Sequence, residues 1–514
     1  MNIPLEIKTI LNTLHENEYE AYIVGGCVRD LLLALSKAEG VGKNPTDWDI
    51  TTNATPEQIQ EVFTKAGLKS FYENNFGTVS VLTGSADATL QNVEITPFRT
   101  EAKYSDKRHP DTIKWAKKLE DDLSRRDFTV NAMAIKTNLK SKNENLKSKS
   151  TISNLAIIDL FNGQEDLQNQ VIRAVGKPEQ RFQEDALRLL RAIRFATTLN
   201  PAKLWQIESK TEKAIIKNAE LLKYVSQERI RDELVKIIMS PQADQGIEIL
   251  HKLGLLTYIM PELENGIGIT QNKHHTFQVY EHAILSLRYA CQQNFSLEVR
   301  MASLLHDIGK PTTKRGEGEN ATFYNHELVG ARIANQILRR LRFSKKTTDK
   351  ITKLVKHHLF YYNVGEVGES SVRRLLRQVG QEDIEELLQV RYADRIGSGV
   401  AKAEPYKLRH MKYLFEKVKQ DPIIPKMLKV NGKDVIKIFN TKPGPKVGQA
   451  LNYLLSQVLS NPKKNNRDLL MAELEKLSKL SEQELQNLSQ KAKKDIEQVD
   501  TKRDEMTKKK YWVS

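Results

Sequence analysis

Cysteine is nearly missing from this chain: Cys27 and Cys291 are the only two in 514 residues. Two cysteines far apart in sequence suggest neither a disulfide framework nor a zinc-thiolate site, which points to a reducing compartment, the cytoplasm. Long apolar runs are missing too. No stretch of about 18 apolar residues occurs, so no segment reads as a membrane span and no membrane partner is expected. The first twenty residues, MNIPLEIKTILNTLHENEYE, are amphipathic and acidic and lack the charged-then-apolar order of a signal peptide. Negative charge is in deficit, with 65 Asp+Glu against 80 Lys+Arg and a net +15. That field favours a polyanionic partner. A generally lysine-rich background accounts for the same sum, so charge alone does not decide between them.

What is present divides the chain. Up to about residue 175, strand-like and helix-like stretches alternate. Thr55-Pro56 opens a helix through Gln58–Lys65 that ends near Gly67. Thr78–Leu82 and Asn92–Phe98 read as a strand pair. Residues 138–151 are polar and of low complexity, a surface insertion ahead of a strand over Ala156–Leu160. From about 176 the pattern is almost wholly helical, with long periodic segments at Gln183–Thr198 and Ser226–Met239. The last forty or so residues alternate Lys and Glu with few apolar anchors and read as a solvated helix or frayed tail.

Three blocks carry phosphate chemistry. In the first, Tyr22-Ile23-Val24 meets Gly25-Gly26, then Arg29-Asp30, and later Asp47-Trp48-Asp49. Two carboxylates two residues apart on a strand share a face and can hold divalent cations. The glycine pair lets a bulky group approach backbone N–H groups, with Arg29 near to offset charge. Such a pair suits transfer of a nucleotidyl group, with two Mg2+ ions on Asp47 and Asp49. Glu94 is either a third carboxylate, if its strand lies beside Asp49, or a solvent-facing residue. The second block runs from Asp122 to Ala134, DLSRRDFTVNAMA. Arg126 suits a bidentate triphosphate clamp, and Asp127 and Asn131 suit ribose hydroxyls. The third is Glu184-Asp185-Ala186-Leu187-Arg188, continuing to Arg191 and Arg194, which are counted as nucleotide-binding with it. On a helix Asp185 and Arg188 lie one turn apart, which serves either an ion pair or the pairing edge of cytosine or adenine.

These blocks, with Gln227–Leu234 downstream, resemble the bacterial class II CCA tRNA nucleotidyltransferase and poly(A) polymerase family from about residue 20 to 265. The resemblance implies an α+β fold: a small mixed-sheet, polymerase-beta-like nucleotidyltransferase head followed by an all-α neck, body, HD domain and tail. It further implies that Asp47 and Asp49 are metal ligands, that Arg126 and Asp127 contact the nucleotide sugar, and that Asp185 and Arg188 are a protein template selecting CTP and then ATP. Asp159–Gly163 resembles the family's flexible segment between head and neck. Lys429–Leu454, with Gly432 and Gly444-Pro445-Lys446-Val447-Gly448, resembles the C-terminal module of HD-containing CCA enzymes.

Most of the 11 histidines fall between about 270 and 400. His282, His306-Asp307 and Asp394 occur in order, and His306-Asp307 closes the apolar helix Met301–Leu305 before Gly309 and Pro311. Neighbouring helix residues diverge by about 100°, so both reach a metal only at the edge between them. Imidazoles with carboxylates suit an octahedral Mn, Ni, Co, Fe or Mg better than closed zinc. A lone histidine here would read as a satisfied core residue. The set resembles the HD phosphohydrolase superfamily, with His306-Asp307-Ile308-Gly309 as its signature, and that implies metal-dependent hydrolysis of phosphate esters. Similar domains in some tRNA nucleotidyltransferases act on 2′,3′-cyclic and 2′-phosphate ends. His326, His357 and His358 are candidates for a second metal; His274 and His275 are outer-shell groups or surface residues.

The expected organisation is therefore a head over 1–175, a helical neck and body binding RNA and nucleotide over 176–268, an HD phosphohydrolase domain over 269–400 and a helical tail over 401–514. The expected activity is addition of CMP and AMP from CTP and ATP to the tRNA 3′ end. Three alternatives stay open: a poly(A) polymerase or partial (A- or CC-) adding enzyme, an HD phosphohydrolase with a nucleotide-sensing head, and a basic RNA-binding module without catalysis.

Overall fold

The structure, a computed structural model, describes residues 3–513 apart from 36–44, 46, 73–76, 103–111, 138–154, 273–275, 361, 420–424 and 426–427. The insertion expected at 138–151 and the pair His274 and His275 lie outside the described residues. The chain forms two compact units, one of residues 1–358 with 386–401, the other of 359–385 with 402–514.

After the helix Leu5–Glu16, and with helices between them, the first unit carries nine strands up to residue 159: β1 (Ala21–Val24), β2 (Asp49–Thr52), β3 (Ser70–Tyr72), β4 (Val79–Leu82), β5 (Asn92–Pro97), β6 (Arg99–Ala102), β7 (Thr112–Trp115), β8 (Met133–Thr137) and β9 (Leu155–Asp159). Seven of them form one sheet in the order β3-β4-β5-β2-β1-β8-β9, and β6 and β7 pair separately. The sheet is mixed, because β2 and β5 run parallel while the other neighbours are antiparallel. Tyr22, Val24, Phe98, Leu123 and Ala134 make a buried cluster around the central strands. The α+β class is as expected. So is the helix Pro56–Lys65, where Thr55 and Gln58 close a capping box and Gly67 follows at φ +75°.

Two local features follow from side-chain bonds. The segment Asp159–Gly163, expected as the link between head and neck, forms a hydrogen-bonded turn. The Asp159 carboxylate accepts the N–H of Gly163 and of Gln164 at 2.8 Å each, and a Cβ on Gly163 would stand 2.4 Å from the Thr129 carbonyl oxygen. Backbone that close leaves no room for a larger residue. The periodic segment Gln183–Thr198 is not one helix. It is split into Pro178–Glu184 and Arg188–Thr198, with Asp185 extended at φ −137°, ψ 106°. The Asp185 carboxylate accepts the Leu187 N–H at 3.0 Å, the local side-chain bond by which Asp competes with helix and starts a new one.

Beyond the sheet the first unit is helical apart from a short parallel pair, Val171–Ile172 with Gln206–Ile207. The helix Gln227–Ile238 starts after Ser226 as expected. Buried Arg300 donates to the carbonyls of Ile238 and Ser240 at 3.0 Å each, satisfying acceptors at that helix's C-terminal end. In the second unit the last stretch is a 30-residue helix, Glu482–Tyr511, opened by a Ser481–Glu484 capping box. It is not a frayed tail: Leu485 joins a core built from Val435, Leu454 and Leu474. Among the described residues no helix is long and apolar enough to cross a membrane.

Candidate active site

Every head and neck residue expected to bind metal or nucleotide lines one cavity of about 950 Å³. Its floor is the turn from β1 into the helix Gly26–Leu35, which aims that helix's N-terminus at the cavity. Gly25 sits there at φ +82°, and a Cβ would lie 2.8 Å from Arg126 Nη1 and 3.4 Å from Asp49 Oδ2. Glycine is required on both counts, conformation and space. Asp49 opens β2, whereas Asp47 is an exposed residue in the bend before it. The pair therefore shares the cavity without both lying on the strand. Burial and the charge of Asp47 raise the Asp49 carboxyl above its ordinary value, against the pull of Arg126. Two crowded carboxylates of that kind fit a divalent cation, which relieves their repulsion. The parallel register places Glu94 directly opposite Asp49, although it does not line the cavity.

The wall is an arginine array held by carboxylates. Fully buried Asp122 accepts from Arg125 at 2.7 and 3.0 Å and from Arg126 at 3.2 Å. Its role as anchor was not foreseen, though its spacing three and four residues ahead of the two arginines carries the signal. Asp127 accepts from Phe128 N and Asn131 Nδ2 on one oxygen and from Arg191 Nε and Nη2 on the other. Burial opposes its charge, but Arg191 and Arg188 outweigh it and hold the carboxyl well below the usual range. Asn131 Oδ1 in turn accepts from Arg29 at 2.6 Å. Arg29, Arg191 and Arg194 all lie against the Phe195 ring, Arg194 nearest at 4.1 Å from its centroid. Burial and the neighbouring Arg191 lower Arg194 to about 10.

Asp185 and Arg188 both reach the cavity but do not pair with each other. Arg188 donates to Glu184 Oε2 at 2.8 Å and to the carbonyls of Arg181 and Arg125. Asp185 is gripped by Arg229, at 3.2 Å to Oδ1 and 2.8 Å to Oδ2. The intrahelical ion pair is thus excluded in this geometry, since Asp185 has left the helix. Arg229 lies in the block Gln227–Leu234, where spacing gives it no role, and only the fold brings it here.

A second cluster lies among helices of the same unit. His282, His306, Asp307 and Asp394 converge as expected, and His326 and His358 join them. Asp307 is central: Oδ2 lies 3.3 Å from His282 Nε2 and 3.2 Å from His306 Nε2, while Oδ1 lies 3.4 Å from His326 Nε2 and 3.7 Å from His358 Nε2. All six groups are buried. His357 is corrected: it is half-buried outside the cluster, turned away by the rotation between successive helix residues that sends His358 inward.

The chemistry of this donor set fits a metal. His306, His326 and His358 each place Nδ1 2.7–2.8 Å from the carbonyl three residues back. That bond fixes the proton on Nδ1 and leaves Nε2 as a ligand. Burial disfavours charge on His306, yet Asp307 and Asp394 draw a proton there and push it up to about 10. Two buried carboxylates, Asp307 and Asp394, face these imidazoles, and a divalent cation would offset their negative charge.

A mixed-sheet head with a carboxylate pair at a glycine turn, facing a wall of arginines, defines a nucleotidyltransferase. Comparison with known proteins specifies it further. Residues 21–173 match the family described as poly A polymerase head domain, and 205–267 the one described as "Probable RNA and SrmB- binding site of polymerase A". Residues 322–474 match tRNA nucleotidyltransferase domain 2. The CCA-adding enzyme of Lactobacillus helveticus is 33% identical over 91% of this chain and 96% of its own length. The A-adding tRNA nucleotidyltransferase of Deinococcus radiodurans is 34% identical over 65% of this chain and 74% of its own. The crystal structure of the Bacillus stearothermophilus CCA-adding enzyme in complex with CTP matches with a TM-score of 0.54 and 26% identity, covering 92% of this chain and 97% of that one. This chain belongs to the CCA-adding enzyme family.

Proposed function

We propose that this protein rebuilds the 3′ CCA end of tRNA in the cytoplasm, adding CMP and AMP from CTP and ATP with release of pyrophosphate. The observation that carries the reading is the meeting of all three sequence blocks in one cavity, in a chain aligned almost end to end with a CCA-adding enzyme. Asp47 and Asp49 would hold Mg2+, which when bound would lower the pKa of the attacking 3′-hydroxyl and neutralise charge on the triphosphate. Arg126 takes the phosphates, while the Asp127–Asn131 pair faces the ribose. Asp185, an acceptor, and Arg188, a donor, suit the amino group and ring acceptor that cytosine and adenine both present. We assign the head to 1–175, the neck and body to 176–268, an HD domain to 269–400 and the tail to 401–514.

The histidine cluster supports a second activity, metal-dependent hydrolysis of a phosphate ester such as a 2′,3′-cyclic or 2′-phosphate end. His282, His306, Asp307 and Asp394 would hold a Mn, Ni, Co or Fe ion, with His326 and His358 close enough to take part. Buried Lys310 donates to Asp307 Oδ2 at 2.6 Å and helps hold that carboxylate in place.

The test uses tRNA transcripts lacking one, two or three terminal nucleotides, incubated with CTP, ATP or both. CTP alone should extend the two shorter acceptors that end before a cytidine, and ATP alone only the acceptor ending in CC. Incorporation of ATP alone onto every acceptor would replace this reading with A-only or poly(A) addition. For the cluster, bound metal and 2′,3′-cyclic phosphodiesterase activity are compared with and without His306→Ala; no difference reduces the cluster to scaffold.

A further inference from the structure

We propose that Arg229 is a positioning residue that sets nucleotide choice by fixing the plane of the Asp185 carboxylate. The proposal rests on the reading of Asp185 as the group that meets the base. Three observations lead to it.

Asp185 sits in the break between two helices, so no helical backbone fixes where its side chain points. Its direction is set by bonds instead. Leu187 N donates to Oδ1 at 3.0 Å, and the Arg229 guanidinium spans both oxygens. A carboxylate offers about four acceptor positions, and these bonds use three, leaving one on Oδ2. The carboxylate is thus reduced to an acceptor with one direction. An exocyclic amino group, present at N4 of cytosine and N6 of adenine, donates to such an acceptor; the carbonyl at the same place in uracil or guanine is repelled by it.

The two members of the template are held from different sides. Arg188 is fixed by Glu184 and by main-chain carbonyls of Arg181 and Arg125. Asp185 is fixed from the neck helix Gln227–Ile238, through Arg229 alone among its side-chain partners in the described residues. Loss of Arg229 therefore acts on the acceptor and leaves the donor in place. The Asp185–Arg229 pair also lines the cavity itself, so the restraint is applied where the base would lie.

Planarity matters to this role. A guanidinium grips a carboxylate with two parallel bonds and fixes its plane, whereas an ammonium is a point charge about which the carboxylate can turn. Arg229→Lys keeps the charge and removes the fork, which separates orientation from electrostatics.

The experiment measures kcat/KM for CTP, UTP, ATP and GTP on matched tRNA acceptors, for the full chain and for Arg229→Ala, Arg229→Lys and Asp185→Asn. In both Arg229 variants the CTP/UTP and ATP/GTP ratios should fall by roughly tenfold or more, the scale of one base-edge contact. The proposal is overturned if all four nucleotides lose activity by the same factor, the pattern of a merely structural residue, or if Arg229→Lys keeps the wild-type ratios. Asp185→Asn separates the two layers. If it leaves the ratios unchanged, the base-reading role of Asp185 fails and this proposal with it; if it changes them while neither Arg229 variant does, only the role of Arg229 fails.

Discussion

The nucleotide cavity and the histidine cluster both set carboxylates beside positive charge, and they do so in opposite ways. In the cavity Asp47 is exposed and Asp49 partly so, and the surrounding order lies in the arginine wall, where Arg125 and Arg126 are tied to buried Asp122 and Arg191 to buried Asp127. In the cluster the candidate ligands themselves are pinned, three imidazoles through Nδ1 to backbone carbonyls, and all six groups are buried. An open pair suits a cation that arrives and leaves with a triphosphate. A sealed, tautomer-fixed set suits a cation that stays. On the proposed reading, one chain carries a site ordered around its substrate and a site ordered around its metal.

The sharpest way to break this contrast is to remove each ligand set in turn. Asp47→Ala or Asp49→Ala should cut nucleotide incorporation by roughly a thousandfold or more while the metal content of purified protein stays the same. His306→Ala should do the reverse, removing the tightly held metal while incorporation stays within about twofold. Elemental analysis beside a primer-extension assay reads both; a shared loss would show that the two sites are not independent.

A smaller effect tests whether the arginine wall depends on the glycine turn. Gly25→Ala forces a Cβ against Arg126 at a positive φ, a strain of about 1–3 kcal/mol. The KM for CTP should rise about tenfold as Arg126 is displaced, and an unchanged KM would detach Arg126 from the triphosphate.

The wall's carboxylates should also show in acid. The folded pKa of Asp127 lies below its unfolded value of about 3.9. Its ionic contribution is therefore fully present above about pH 4–5 and is lost as pH falls through the folded pKa. Asp127→Asn should cost about 2–3 kcal/mol at pH 7, less than a fully buried pair because Arg191 is about one-third exposed. Chemical denaturation across pH should show variant and wild type converging as the acid limb deepens; a constant gap would contradict the pairing. The smallest effect separates two neighbouring imidazoles: His358→Ala should weaken metal retention, while His357→Ala should leave it unchanged.

Much of this architecture is legible in residue order, and the limits are physical. Thr55-Pro56 announces its helix through local capping chemistry, and the run Arg125–Ala134 marks the cavity because its residues lie together in sequence. Asp185 is different. Apolar periodicity runs straight through it, with no proline or glycine to signal a break, and the break is stabilised by a bond to Leu187 and by an arginine 44 residues away. The choice of His358 over His357 depends on the rotation of one helix against others, and the pairing of Glu94 with Asp49 depends on strand register. Such features are tertiary, and spacing alone does not carry them.

The most direct test of the central claim, that one cavity reads both CTP and ATP, is sequencing of the products. A tRNA transcript lacking all three terminal nucleotides is extended with the four nucleoside triphosphates present together at equal concentration. The account predicts ends that read CCA and stop. Oligo(A) ends, or ends that halt at CC, would contradict it.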